Sequence, residues 1–132
     1  MSKLLPDIDD LTRPFWDAAQ QRRLVMQRCD DCGAYVWHPQ RWCRGCYGQA
    51  LSWQPLSGAG EVFSYSVVHY APLPGYAEDV PYVLATVRLK EGPQMMTNVV
   101  GVDWRAVFIG QPVKVCWEAR AGDFLVPQFT GI

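Results

Sequence analysis

The stretch CDDCGAYVWHPQRWCRGC, residues 29–46, decides how the first half of this chain folds. It contains two CxxC pairs, Cys29 with Cys32 and Cys43 with Cys46, which are separated by residues 33–42. Both thiolates of a CxxC turn can reach one ion, and a second pair completes a tetrahedral shell of four sulfurs. The spacing therefore predicts a metal site with these four cysteines as ligands.

The expected role of this metal is structural. Catalytic zinc usually keeps one coordination position open, whereas four thiolates close the shell. Zinc is the expected ion, and iron is the alternative, because a rubredoxin-like iron site has the same ligands. His38 lies between the two pairs and exceeds the ligand count, so we expect it to be a packed or exposed side chain.

The segments around the cysteines predict a small unit preceded by a helix. LVMQRC at 24–29 and AYVWHP at 34–39 are rich in apolar and aromatic residues and predict two short strands. This unit, residues 24–54, has too few core residues to fold without a staple. An arm and a helix are expected within 1–23, where Pro14 suits the first helical turn and Phe15, Ala18 and Ala19 share one face.

After a linker at 54–61 the pattern predicts a five-stranded OB-fold barrel over residues 55–132. Five strand-like runs follow the linker: EVFSYSVVHY at 61–70, YVLATVRLK at 82–90, QMMTNVVG at 94–101, VKVCWE at 113–118 and DFLVPQF at 123–129. In the first run, Phe63, Tyr65 and Val67 alternate with serines, which predicts one buried face. The strand count and the break after the third strand match an OB barrel, with an SH3-like barrel as the alternative. The predicted fold class is therefore mainly β, with a helix and a zinc ribbon before the barrel.

Composition narrows the classes of function. The net charge is −1 and the pI is about 6.1, which argues against a dedicated nucleic-acid binder. The N-terminal residues MSKLLPDIDDLTRPFW lack the apolar core of a signal peptide, and no stretch is long enough to span a membrane. We therefore expect a cytoplasmic protein without a membrane partner, and in a reducing compartment paired CxxC motifs favour metal over disulfides.

The chain shows little of an enzyme's own machinery. It contains no P-loop, GxSxG or HExxH motif. Cys116 lies in the middle of a predicted strand and is expected to be a buried, inert thiol. The proline-bounded segment APLPGYAEDVP, residues 71–81, is a long loop of the kind that often carries function. The segment 21–47 is mildly basic, which fits a solvated face, a phosphate-bearing ligand or an acidic partner.

In their order, the features resemble the acyl-CoA-associated OB-fold family that carries an N-terminal rubredoxin-like zinc ribbon. The resemblance spans residues 13–129 and rests on RPFWDAAQQRRLVMQRCDDCGAYVWHPQRWCRGC, SGAGEVFSYSVVH, VPYVLATVRLKEGPQMMTNVVG, FIGQPVKVCWE and LVPQF. The four family metal ligands match Cys29, Cys32, Cys43 and Cys46. One departure is Tyr47, which stands where glycine is common in this family.

The resemblance implies a non-catalytic subunit of a hetero-oligomer. Such a subunit binds and stabilises a thiolase-like enzyme, a sterol-carrier-protein-type thiolase or an aldol lyase, and helps to form its acyl-CoA channel in steroid or fatty acyl side-chain degradation. The alternative partner within the family is a hot-dog-fold enoyl-CoA hydratase. Residues expected to contact the partner or the substrate are Phe15, Trp16, Trp37, Arg41, Trp42, His69, Tyr76 and Tyr82.

Two functions from other classes remain open at this point. OB barrels and zinc ribbons both occur in nucleic-acid-binding modules, which would bind single strands in a salt-dependent manner. A rubredoxin-like electron carrier would hold iron in the four-cysteine site instead of colourless zinc. We expect neither activity, and the resemblance favours the accessory subunit.

Overall fold

The structure is a computed structural model that describes residues 3–132, so the first two residues of the predicted arm lie outside the described residues. Within this range the chain forms one α-helix, α1 (Arg13–Gln20), and two sheets. The first sheet has the order β2-β1-β3 and contains β1 (Val25–Cys29), β2 (Tyr35–Val36) and β3 (Leu51–Pro55). The second is a closed barrel of the order β4-β5-β6-β8-β7, made of β4 (Ala59–Val68), β5 (Tyr82–Leu89), β6 (Gln94–Val100), β7 (Pro112–Ala119) and β8 (Leu125–Gly131).

The barrel confirms the predicted fold class. Strands β4, β5 and β6 form an antiparallel meander, and β8 returns antiparallel to β7. The barrel closes in two places: β8 runs parallel to β6 at Val99 and Val100, and β7 pairs with the start of β4. Five strands in a closed barrel are consistent with an OB fold.

The ribbon sheet contains a strand that the sequence did not predict. β3 pairs along the whole of β1, from Val25 opposite Pro55 to Cys29 opposite Leu51. Its sequence LSWQP is partly polar and ends in proline, so its strand signal is weak. β3 ends at Pro55, and β4 begins at Ala59.

Buried side chains alternate with less buried ones along the barrel strand β5, as expected where successive residues point to opposite faces of a sheet. Alternate residues of β5, namely Val83, Ala85, Val87 and Leu89, are buried, and they surround the fully buried Phe129 of β8. The interior of this barrel is therefore a packed core and not a channel.

The predicted buried face of the first barrel strand is wrong for Phe63 and Tyr65, which are both exposed. A β-bulge between Val62 and Ser64 makes Phe63 the extra residue, so Phe63 leaves the alternation and Val62 before it is the core residue. The bulge does not account for the exposure of Tyr65, which pairs with buried Ala85. A bulge places two residues opposite one and re-aims the side chains beside it. The Phe63 ring instead lies 4.4 Å from the guanidinium carbon of Arg88.

The helix and the ribbon share the core of the barrel. Phe15, Ala18 and Ala19 are buried on one face of α1, as the sequence predicted. Leu24 and Met26, from the start of the ribbon, belong to the same apolar cluster as Phe15 and the barrel interior. The ribbon is thus anchored to the barrel at one end, while its other end has a small cluster of its own, formed by Cys29, Val36, Cys43 and Leu51.

No helix in residues 3–132 combines the length and the apolar character needed to cross a bilayer.

Candidate functional site

The four predicted metal ligands meet at the outer end of the ribbon. All their Sγ atoms lie within 4.8 Å of one another. The Sγ atoms of Cys29 and Cys46 are 3.5 Å apart, and those of Cys32 and Cys43 are 3.6 Å apart. Zinc–sulfur bonds of about 2.3 Å in a tetrahedron place the sulfurs about 3.8 Å apart. The donor set and its spacing therefore fit a tetrahedral zinc thiolate site.

Two knuckles of the same backbone design hold the cysteines. In the first, the N–H of Gly33 donates to the carbonyl of Cys29, and the N–H of Cys29 donates to the carbonyl of Ala34, each at 2.8 Å. In the second, Tyr47 donates to Cys43 and Cys43 donates to Gly48, again at 2.8 Å. The two segments thus present their sulfurs in matching geometry.

Tyr47 occupies the position in the second knuckle that Gly33 occupies in the first. Both residues have positive φ, +79° at Gly33 and +61° at Tyr47. A side chain in this left-handed region is strained, and glycine is not. Tyr47 adopts this conformation with its N–H still bonded to the carbonyl of Cys43, so the knuckle keeps its backbone geometry.

The electrostatics of the knuckle favour a thiolate at Cys43. The backbone N–H groups of Cys46 and Gly45 point at its sulfur and lower its pKa to about 7. The N–H of Gly45 lies 3.3 Å from this Sγ atom. Hydrogen bonds to the charged form stabilise it, and metals bind thiolates. The backbone therefore favours the thiolate form of Cys43, which is the form that binds a metal cation.

Polar contacts fasten the spacer between the knuckles to the ribbon sheet. The side chain of buried Gln27 on β1 donates to the carbonyl of Gln40 at 2.9 Å and accepts from its N–H at 2.7 Å. The guanidinium of Arg44 donates to the carbonyl of Trp37. These contacts fix the path of residues 37–44 and with it the second pair of ligands.

Seven of the eight predicted contact residues fall into three groups. The first is an aromatic cluster in which the Phe15 ring lies 4.9 Å from the rings of both Trp16 and Trp37. Phe15 is only 4% exposed and belongs to the core, whereas the two tryptophans are half-buried. The indole Nε1 of Trp37 is buried without a hydrogen-bond partner among the described residues.

The second group lies on the ribbon, where Arg41 and Trp42 are exposed beside the buried ligand Cys43. The third group lies on the barrel, with Tyr76 in the loop 69–81 and Tyr82 at the start of β5. Tyr76 and Tyr82 are half-buried, with ring centroids 6.2 Å apart. The structure therefore does not bring the eight residues into one site.

His69 and Cys116 stand apart from these groups. His69 is exposed, and its ring packs edge-on against Trp104 at 5.3 Å. Cys116 is half-buried on β7, where burial, followed by the charge of Glu118, raises the pKa of its thiol. A raised pKa keeps the thiol protonated at neutral pH, which is unsuited to a nucleophile.

The sequence did not reveal a charged cluster centred on Glu118. Lys3 Nζ lies 2.5 Å from Asp79 Oδ2 and 3.2 Å from Glu118 Oε1, and Arg120 Nε lies 3.0 Å from the same Glu118 oxygen. Burial alone would lower the pKa of Lys3, but the hydrogen bonds to Asp79 and Glu118 raise it. These residues are far apart along the chain, so no local signal could have predicted the cluster.

Comparison with known families matches both parts of the chain. The family described as ChsH2, rubredoxin-like zinc ribbon domain, matches residues 16–52, and the family described as ChsH2, C-terminal OB-fold domain, matches residues 53–118. A chain of the Ltp2-ChsH2(DUF35) aldolase is similar in structure, with a TM-score of 0.87 and 35% identity, over 96% of this chain and 98% of that one. A DUF35-family protein of unknown function from Sulfolobus solfataricus shares the fold, with a TM-score of 0.65 at 15% identity over 93% of this chain and 86% of that one.

Relatives of known sequence differ in how much of their own length this chain covers. A DUF35 domain-containing scaffold protein from Methanocaldococcus jannaschii is 34% identical over 72% of this chain and 67% of its own length. A probable enoyl-CoA hydratase alpha subunit from Thermomonospora curvata is 38% identical over 87% of this chain. The 3-oxo-4,17-pregnadiene-20-carboxyl-CoA hydratase alpha subunit of Mycobacterium tuberculosis is 35% identical over 84% of this chain. This chain spans only 36% and 37% of the two hydratase subunits.

Proposed function

Because this chain belongs to the ChsH2 family, in which a rubredoxin-like zinc ribbon precedes a C-terminal OB-fold domain, we propose that it is a non-catalytic accessory subunit of a thiolase-like acyl-CoA enzyme. The proposed role is to bind and stabilise that enzyme and to form part of its acyl-CoA channel. The observation that carries the proposal is the likeness to a chain of the Ltp2-ChsH2(DUF35) aldolase, 98% of which this chain covers.

The metal centre supports a scaffolding role. Four thiolates close the coordination shell of a zinc ion, so the ion has no open position for a substrate. The ligands Cys29 and Cys43 also make up half of the small apolar cluster at the outer end of the ribbon. Zinc bound there would supply the folding energy that so few apolar side chains cannot supply.

The surface of the ribbon supports contact with an anionic group or an acidic partner. Arg28 and Arg41 are exposed on the ribbon, Arg22 and Arg23 are exposed just before it, and exposed Trp42 follows Arg41. Arginine binds phosphates and carboxylates through two parallel N–H groups, and aromatic and arginine side chains concentrate binding energy at interfaces. The phosphates of coenzyme A at a shared channel are the ligand class that we propose for this surface.

A hydratase partner is the second candidate, because two relatives carry the name of a hydratase alpha subunit. This chain corresponds to about a third of each of these proteins. In this case it would provide the ribbon and barrel portion alongside a separate hot-dog-fold subunit.

Co-expression distinguishes the two candidates. The tagged chain is expressed with each thiolase-like and each hydratase-like protein of the source genome in turn, and complexes are measured by size-exclusion chromatography with light scattering. We expect a stable complex with a thiolase-like protein and aldol cleavage or thiolysis of an acyl-CoA only when both chains are present. Stable complexes with hydratase-like proteins alone would favour the second candidate, and a chain that stays alone with all of them would refute both.

A further inference from the structure

A groove made of neighbouring recesses crosses the outer face of the barrel between the arm and the loop 69–81. Three recesses of about 260, 490 and 300 Å³ all include Asn98 of β6 in their walls. The largest extends from Asn98 to α1 and to Trp37 of the ribbon. The smaller two extend to Tyr76 and Tyr82 on the loop side. We call this feature the arm–barrel groove.

The walls of the arm–barrel groove expose apolar side chains. Leu4 on the arm is 68% exposed and Met96 on β6 is 65% exposed, and both line the largest recess. Tyr70 and Leu73 on the loop side are exposed as well. Large apolar side chains that are exposed around shared recesses mark an interaction surface.

The charged cluster on Glu118 holds both rims of the groove in place. Lys3 fixes the start of the arm to Glu118 and to Asp79 of the loop, and Arg120 joins Glu118 to the hydroxyl of Tyr76 at 3.4 Å. The Nε2 atom of Gln128 also donates to Glu118 at 3.4 Å. One carboxylate therefore connects the arm, the loop and the last two strands, so the surface is ordered before a partner binds.

The charges around the groove indicate the kind of occupant. The two cations, Lys3 and Arg120, have side chains only 19% and 11% exposed and are both engaged by Glu118, which leaves little positive charge for nucleic acid or an anionic membrane. Exposed acids line the groove, with Asp7 on the arm and Asp79 on the loop. A second copy of this chain would bring the same acids to a symmetric contact, whereas a different subunit can supply cations.

We propose that the arm–barrel groove is the surface through which this chain docks on its enzyme subunit, and that the occupant is an apolar protein surface with a basic rim. This inference rests on the proposed function. A stable interface needs about 800 Å² from each partner, which is about a tenth of the 7813 Å² surface of this chain.

Four variants test the groove against the subunit that the wild-type chain retains in co-expression. Met96→Ser and Lys3→Glu each alter the groove, and we expect at least about tenfold weaker binding in titration calorimetry. Ile109→Ser is the matched control. Ile109 is 60% exposed, like the groove residues, but it precedes Gly110, whose N–H donates to the carbonyl of Val62 near the start of β4. The loop side of the groove follows the opposite end of that strand. Ile109→Ser should bind like the wild type, and Lys3→Arg, which keeps the positive charge, should bind more tightly than Lys3→Glu.

Zinc content and the melting temperature of each free variant show whether a loss of binding comes from misfolding. Weak binding by Met96→Ser and Lys3→Glu with normal zinc and melting temperature supports the groove. Wild-type affinity in both variants overturns the inference but leaves the proposed function standing. A wild-type chain that retains no enzyme subunit overturns both.

Discussion

Replacing Cys32 with serine should unfold the outer ribbon and leave the barrel folded. Cys32 is an exposed ligand, so serine there removes a thiolate without burying a hydroxyl group. Structural zinc contributes about 10–16 kcal/mol in total, which four ligands share, so the loss of one should weaken zinc affinity about 100- to 1000-fold. Among the described residues, the apolar cluster of the outer ribbon contains only Val36 and Leu51 besides two cysteines. The end of the ribbon next to the barrel should stay folded, because its residues Leu24 and Met26 belong to the barrel core.

Hydrogen exchange followed by mass spectrometry measures this division directly. We expect the amide groups of Gly33 and Tyr47, which close the two knuckles, to lose protection in Cys32→Ser, while the β5 and β7 amides keep theirs. Zinc per chain, measured by atomic emission, should fall well below one in dilute chelator. A variant that keeps one zinc and full knuckle protection, or one whose barrel loses protection to the same extent, would refute this reasoning.

Three further changes test individual residues. Tyr47→Gly should raise the free energy of unfolding by about 0.5–1 kcal/mol in denaturant titration, because φ is positive and the ring is 77% exposed; a loss of stability would show that the ring packs. Cys116→Ser should leave complex formation and activity unchanged, and loss of activity in a folded complex would make the thiol functional. Cys116 in the zinc-loaded chain should also react with a maleimide at pH 8 more slowly than a free cysteine and speed up above pH 9, because its pKa is raised; fast reaction at pH 8 would contradict this.

The metal centre was predictable because its signal is local. Two CxxC pairs with a short spacer bring four sulfurs together wherever the chain folds around them, and the structure places them within 4.8 Å. The barrel was predictable for a similar reason, since each strand carries its own alternating pattern. The helix face of Phe15, Ala18 and Ala19 follows from its spacing in the same way.

The features that the sequence did not reveal depend on contacts between distant residues. The bulge at Val62 shifts the alternation of β4 by one residue, and only its pairing with β5 shows where the shift occurs. β3 is a strand because it pairs with the second side of β1 along the whole length of β1, although LSWQP alone has little strand propensity. The Lys3–Glu118 contact joins residues at opposite ends of the chain.

The residues predicted to contact a partner include both core and exposed side chains, and this has a physical reason. Aromatic side chains serve both cores and interfaces, and composition alone cannot distinguish the two. Burial does so, because Phe15 is in the core whereas Trp42 is exposed. The contact roles of Phe15, Trp16, Trp37, Arg41, Trp42, His69, Tyr76 and Tyr82 stay predictions that interface substitutions can test.

The most direct test of the central claim is the mass of the complex formed with a co-expressed thiolase-like subunit, measured by light scattering on the purified, zinc-loaded protein. We expect the two chains to elute together at a defined mass and to process an acyl-CoA that neither chain processes alone. A zinc-loaded chain that elutes by itself with every such subunit and ignores acyl-CoA would contradict the claim that it is an accessory subunit.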